Sequence, residues 1–277
     1  MGRSAVVGAV AAGLLAAAGL SGCGPFNTFS DEHTDQVALT EVNLSGGAGS
    51  VTVRPGAEGT VRVERTVRYT GDKRPGATDH TDGTILKLTT DCGLNCSVSY
   101  RITAPSGVKV TGANGSGRLD LSSVSTVSVD VGSGSVSVHD ASGAVNVKTG
   151  SGSIDLSDVH GPVAARTGSG TIHLRGIGGT AVADTGSGTV QGSGLDGRTT
   201  VHTGSGTISL DLVSAQDVTA RSGSGRITVT VPSGQKFKVV ASTDSGHTNV
   251  RIPTDPSADH VIDLHADSGG VTVQARA

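Results

Sequence analysis

Thr149-Gly150-Ser151-Gly152-Ser153-Ile154-Asp155-Leu156 is followed by Thr167-Gly168-Ser169-Gly170-Thr171-Ile172-His173-Leu174, Thr185-Gly186-Ser187-Gly188-Thr189-Val190-Gln191-Gly192 and Thr203-Gly204-Ser205-Gly206-Thr207-Ile208-Ser209-Leu210, each 18 residues after the last. A second glycine keeps the same step at Gly143, Gly161, Gly179 and Gly197. Two glycine-marked corners per unit, with short alternating runs between them, describe one coil of a β-solenoid and no helical repeat. Working outward, Gly132-Ser133-Gly134 keeps the period, Gly115-Ser116-Gly117 sits one residue short and Gly223-Ser224-Gly225 one residue late.

Stacking the units gives apolar columns. One runs Leu119, Val136, Ile154, Ile172, Val190, Ile208, Ile227, and two residues on lie Leu121, Val138, Leu156, Leu174, Gly192, Leu210, Val229. The step of two is the strand period that sends alternate side chains to one face. A second strand contributes Val127, Val145, Val163, Ala181, Thr199, Val218 and then Val129, Val147, Ala165, Ala183, Val201, Ala220. A fifth inward column, Val124, Ala141, Val159, Ile177, Leu195, Val213, is expected between the strands. The fold class is therefore all-β, a single-chain solenoid of about 18 residues per coil, each coil pairing with its neighbours about 4.8 Å away.

The 43 glycines are periodic at 18 and not at 3, which separates this chain from collagen and from low-complexity disorder. The five aromatics, Phe26, Phe29, Tyr69, Tyr100 and Phe237, all lie outside the repeat block. A sugar-stacking cleft and a base-stacking platform both need aromatics, and a formal charge of −3 also argues against a nucleic-acid partner.

Residues 1–22 carry Arg3 and an apolar run from Ala5 to Leu20, the layout of a secretory leader. Leu20-Ser21-Gly22-Cys23 resembles the lipobox of bacterial lipoproteins, which implies that Cys23 is acylated and holds the protein on the extracytoplasmic side of a membrane. Residues 23–36 read as the lipidated cysteine and a flexible tether. The solenoid domain then spans 37–277, with irregular N-terminal coils over 37–110, regular repeats over 111–230 and longer coils over 231–277. Arg54, Arg62, Arg65, Arg68, Lys73 and Arg74 make the first part locally basic. A solvated face interleaved with Glu64 and Asp72 explains them as readily as contact with anionic headgroups. Cys92 and Cys96, an isolated pair in an exported chain, are expected to form a small disulfide.

Ala104-Pro105-Ser106-Gly107-Val108 leading into Asn114-Gly115-Ser116-Gly117, its echo Val231-Pro232-Ser233-Gly234, and the Gly-Ser-Gly units resemble the "putative adhesin" family of bacterial envelope lipoproteins, over residues 40–275. That resemblance implies an exported or anchored β-solenoid, right-handed, and brings no catalytic residues.

No chemistry-bearing constellation emerges. Gly-Ser-Gly recurs without the Lys-Ser/Thr of a phosphate loop, Ser106…Lys109 and Ser233…Lys236 follow prolines instead of opening helices, and the nine histidines never fall at metal-ligand spacing. The reading is a non-catalytic envelope module with no cofactor and no metal. One alternative is an ice- or glycan-binding surface array, suggested by Thr149, Thr167, Thr185 and Thr203 and weakened by the charged residues before them. Another is a polysaccharide-active β-helix enzyme. For a partner, an envelope protein or a glycan chain, the expected face is the outward column Ser128, Asn146, Ala164, Val182, Thr200, Thr219, which is small and uncharged.

Overall fold

The computed structural model describes residues 26–276, and these are all strand, turn and loop. No helix among them is long and apolar enough to cross a membrane. In chain order the strands are β1 (Asn27–Asp35), β2 (Glu41–Ser45), β3 (Val51–Gly56), β4 (Val61–Tyr69), β5 (Asp79–Asp82), β6 (Ile85–Thr89), β7 (Cys96–Pro105), β8 (Val108–Ser116) and β9 (Leu119–Ser133). The regular block follows as β10 (Val136–Ala141), β11 (Val145–Ser151), β12 (Ile154–Val159), β13 (Val163–Ser169), β14 (Ile172–Ile177), β15 (Ala181–Ser187), β16 (Val190–Leu195), β17 (Thr199–Ser205) and β18 (Ile208–Leu212). The chain closes with β19 (Val218–Ser224), β20 (Ile227–Val231), β21 (Lys238–Ser245), β22 (Thr248–Arg251), β23 (Val261–Ser268) and β24 (Val271–Ala275).

Two parallel ladders form the body. One runs β6-β2-β8-β9-β11-β13-β15-β17-β19-β23-β21. The other runs β7-β3-β9-β10-β12-β14-β16-β18-β20-β24-β22. The register within the regular block is the 18-residue step, Ile154 opposite Ile172 and Val163 opposite Ala181. The inward columns form one continuous core, in which Ile154, Leu156, Ile172 and Leu174 are fully buried. Each such side chain contributes about 1.5–3 kcal/mol relative to exposure. The gap at Gly192 is closed by Leu195 and Leu210, whose methyl groups would lie 2.8 and 3.1 Å from an added Cβ.

Chain order and stack order part company at both ends. The first coil, β2–β3, lies second from its end, inside the later coil β6–β7, and the last coil, β23–β24, is inserted beneath β21–β22. At the N-terminal end three antiparallel pairings cover the stack: β4 on β7, β1 on β4 and β5 on β6. The tether expected over 23–36 is thereby corrected, because nine of its residues, Asn27 to Asp35, are strand β1. Its polar sequence has no strand period, and what holds it is backbone pairing to β4 together with ion pairs from that strand.

The corners explain the repeated glycines. Gly188 has φ +151°, and a Cβ there would lie 1.9 Å from the carbonyl oxygen of Gly170 in the adjacent coil, so only glycine lets the backbones approach. The opposite corner holds a residue at positive φ in five successive coils, Ser123, Asp140, Asp158, Gly176 and Gly194, of which the aspartates and glycines are types that tolerate this conformation. The next coil lacks that residue. Leu212 therefore pairs with Leu195 across a bulge and fills the inward position, and Val213, expected inside, is 46% exposed.

Candidate functional site

Ser128, Asn146, Ala164, Val182, Thr200 and Thr219 stand in one file, each opposite the next across the ladder of β9, β11, β13, β15, β17 and β19. Ser128, Asn146 and Thr200 are exposed, and Ala164, Val182 and Thr219 half-buried. The file continues to Thr111 and Asn43 on one side and meets Lys87 there, while on the other it passes Asp263 and ends at the exposed Val240 of β21. Two residues along each strand runs a second outward column, Asp130, Lys148, Arg166, Asp184, His202 and Arg221, so the neutral strip is bordered on that side by charges of both signs.

The threonines proposed as a surface array are inside. Thr149 and Thr167 are 5% exposed and Thr185 and Thr203 fully buried. Their hydroxyls donate to the carbonyl oxygens of Gly134, Gly152, Gly170 and Gly188, at 3.1, 3.2, 3.5 and 3.3 Å. A buried hydroxyl must find an acceptor, and the glycine corner supplies it. The column therefore staples the corner, and the ice-binding reading built on it does not stand.

On the first strand the outward groups pair from coil to coil. His173 Nδ1 lies 2.7 Å from Asp155 Oδ1, His139 lies 3.2 Å from Asp158, and Arg54 reaches Asp120 at 2.6 Å. Shallow depressions among the described residues include one of about 300 Å³ beside His173, Gln191 and Asp211, and one of about 250 Å³ beside Glu64, Thr66 and Arg101. The first also carries Ser193 and Ser209, but neither hydroxyl is hydrogen-bonded to His173 or Asp211: His173 Nδ1 meets Asp155 and Asp211 accepts from Arg276. Lys109 pairs with Glu41 and Lys236 with Asp255, away from Ser106 and Ser233, which removes the Ser-x-x-Lys matches.

The basic N-terminal strands clamp β1. Arg65, 8% exposed, donates to both Asp31 oxygens, at 2.8 and 2.5 Å, and to Gly76 O and Thr78 Oγ1. Arg74 stacks over Phe29 with its guanidinium carbon 3.6 Å from the ring centroid, Arg62 pairs with Glu32 at 2.7 Å, and Arg68 lies over Phe26. The hydrogen bonds from Arg65 hold the Asp31 carboxyl below its usual range, and the same pair raises Arg65. Burial acts oppositely on Asp79, whose carboxyl is pushed up despite His33 at 3.4 Å and Arg65 at 3.9 Å. Most of this basic stretch is thus occupied by the protein's own acids and aromatics.

Cys92 and Cys96 are bridged, with Cα atoms 5.5 Å apart. Cys23 lies outside the described residues. A grouping absent from the sequence reading joins Asp244, His265 and Asp267, whose ligand atoms lie within 4.8 Å of one another. His265 Nε2 is 3.2 Å from Asp267 and 3.9 Å from Asp244, while its Nδ1 meets Ser242 Oγ at 2.9 Å. The signal was present in the repeat: Thr-Gly-Ser-Gly becomes Thr243-Asp244-Ser245-Gly246 and Ala266-Asp267-Ser268-Gly269, so both glycine replacements fall on neighbouring rungs.

Stacked parallel coils with surface groups paired rung by rung define a solenoid scaffold of the all-β class. Residues 50–277 match the model of the Toastrack DUF4097 family, and the chain belongs to that family, a domain of unknown function. No curated protein matches the chain. Among solved structures it is similar to a "putative cell adhesion protein" from Clostridium sporogenes, 12% identical, with 89% of this chain and 100% of that one covered at a TM-score of 0.29. It is also similar to a "putative adhesin" from Bacteroides fragilis, 11% identical, with 93% and 100% covered at a TM-score of 0.36.

Proposed function

We propose that the chain is a non-catalytic adhesive or structural module of the cell envelope, held at the extracytoplasmic membrane surface by acylation of Cys23. The observation that carries the non-catalytic part is the single-file arrangement of surface groups: histidines, carboxylates and arginines pair with the adjacent coil instead of converging on a cleft. The anchor rests on the leader and on Leu20-Ser21-Gly22-Cys23. The neutral file from Ser128 to Thr219 is the face offered to a glycan chain or an envelope protein. Fractionation of cells carrying Cys23→Ala tests both parts. The variant should leave the membrane fraction or accumulate as an uncleaved precursor. Ala164→Glu with Val182→Lys should then reduce retention of the unlipidated form on isolated envelopes without changing its melting. Normal-sized Cys23→Ala protein still in the membrane fraction refutes the anchor, and unchanged retention of the folded double variant refutes the face.

A further inference from the structure

The two ends of the stack are finished differently. At the N-terminal end the outermost strands β6 and β7 are covered by the antiparallel strands β5 and β4, and β1 lies beyond β4. At the other end the outermost rung is β21–β22, and among the described residues β21 pairs only with β23 and β22 only with β24. Just before β21, Phe237 bridges Thr254 and its carbonyl accepts from Asp255 N–H, so the open edge begins at Val239. The core is open there as well. Val250 occupies the column of Val229 and Val273, both fully buried, yet is itself 37% exposed. Val239 and Ala241 continue the column of Ile262 and Leu264, fully buried residues, and are only half-buried. Lys238 N–H donates to His260 O at 2.9 Å, so strand alternation turns the N–H groups of Val239 and Ala241 towards the free edge. An open backbone edge and an uncovered apolar column thus coincide, the combination that sheet proteins ordinarily protect.

The charges on this edge show what fits it. Lys238 stands at one end of β21 and makes no ion pair among the described residues, and Asp244 stands near the other, over Asp267 on the neighbouring rung. The two carboxylates share only His265. A parallel strand of the same sequence in register would set lysine beside lysine and aspartate beside aspartate. An antiparallel copy centred on Ala241 sets Lys238 opposite Asp244 at both ends, Val239 opposite Thr243, and Val240 opposite Ser242. Like charges directly opposed across a ladder are unfavourable and opposite charges favourable.

We propose that this end of the solenoid is an interface between two copies of the chain, in which β21 pairs antiparallel with the β21 of a second copy about a two-fold axis at Ala241. A two-fold contact between identical edges necessarily runs the two strands in opposite directions, and each residue pair then occurs twice. The lysine of each copy supplies the cation that the acidic pair of the other lacks. The capped end, which carries the segment leading back to Cys23, lies about 50 Å away at the rung spacing of a sheet, so the contact joins molecules at their tips. The inference does not rest on lipidation and goes beyond the proposed adhesive role by naming the partner.

The test is sedimentation velocity on the full chain in detergent with EDTA present, so that a metal held by Asp244, His265 and Asp267 cannot join the copies. The wild type should be dimeric. Lys238→Asp and Asp244→Lys should each weaken association at least tenfold, and the double variant should restore it. Both side chains are exposed, and melting should not change. Ala241→Pro removes only an outward N–H and should give a folded monomer. A wild type monomeric at its highest soluble concentration overturns the proposal. So does a dimer that survives both single charge reversals.

Discussion

Gly188→Ala tests the packing principle of the whole stack. The added Cβ would lie 1.9 Å from Gly170 O and 2.8 Å from Gly170 C, and both are backbone atoms that cannot swing aside like the tip of a side chain. Gly188 N–H itself donates to Ser205 O in the next coil at 2.8 Å, so the corner is tied on both sides. Relief requires adjacent coils to separate locally, at about 1–3 kcal/mol for overpacking. The strained φ of +151° adds about 1–2 kcal/mol for any residue with a side chain. The expected loss is about 2–5 kcal/mol, which for a domain of this size lowers the melting temperature by roughly 4–20 °C. Gly83→Ala is the control: its φ is +61° and nothing lies within 4 Å of the added atom, so only the conformational cost of about 1 kcal/mol applies. Urea unfolding followed by circular dichroism compares the two. Equal losses would show that conformational preference alone explains the corner glycines and that coil-to-coil contact does not.

Coil number should be adjustable where register is kept. Deleting residues 150–167 rejoins equivalent positions and should leave a cooperative fold, whereas deleting residues 159–167 joins unlike strands and should abolish cooperative melting; equal melting of the two would refute the ladder account. Stability at acid pH should carry two opposed contributions from the N-terminal clamp. Asp31 is held below its unfolded value by Arg65, so its contribution is present above about pH 4 and is lost as pH falls through its lowered folded value. Asp79 is raised by burial, so ionising it costs stability as pH rises from its unfolded value through its folded one. In unfolding titrations from pH 3 to 7, Asp31→Asn should flatten the acid limb and Asp79→Asn should steepen the rise above it; an unchanged profile in both would refute the assignment.

What the sequence determines by itself is whatever repeats. The 18-residue step names the coil, the alternation of Ile154 and Leu156 names the inward face, and the register of β11 with β13 and β15 follows by counting. The outward file from Ser128 to Thr219 was legible for the same reason. Periodicity says less about depth at a corner. Thr149 and its equivalents look like a displayed array on paper, and only the turn of the chain at Gly152 places their hydroxyls inside, against a carbonyl of the neighbouring coil. Position in the sequence also fails as a guide at the ends. The insertion of β23 between β19 and β21, and of β2 between β6 and β8, is a long-range pairing choice that the repeat does not encode. Strand β1 was hidden because it is held by ion pairs from Arg62 and Arg65 and by backbone pairing with β4, later in the chain, contacts that leave no period in its own residues. The grouping of Asp244, His265 and Asp267, and the free edge beside it, exist only because that inserted rung brings residues 21 and 23 positions apart onto adjacent strands.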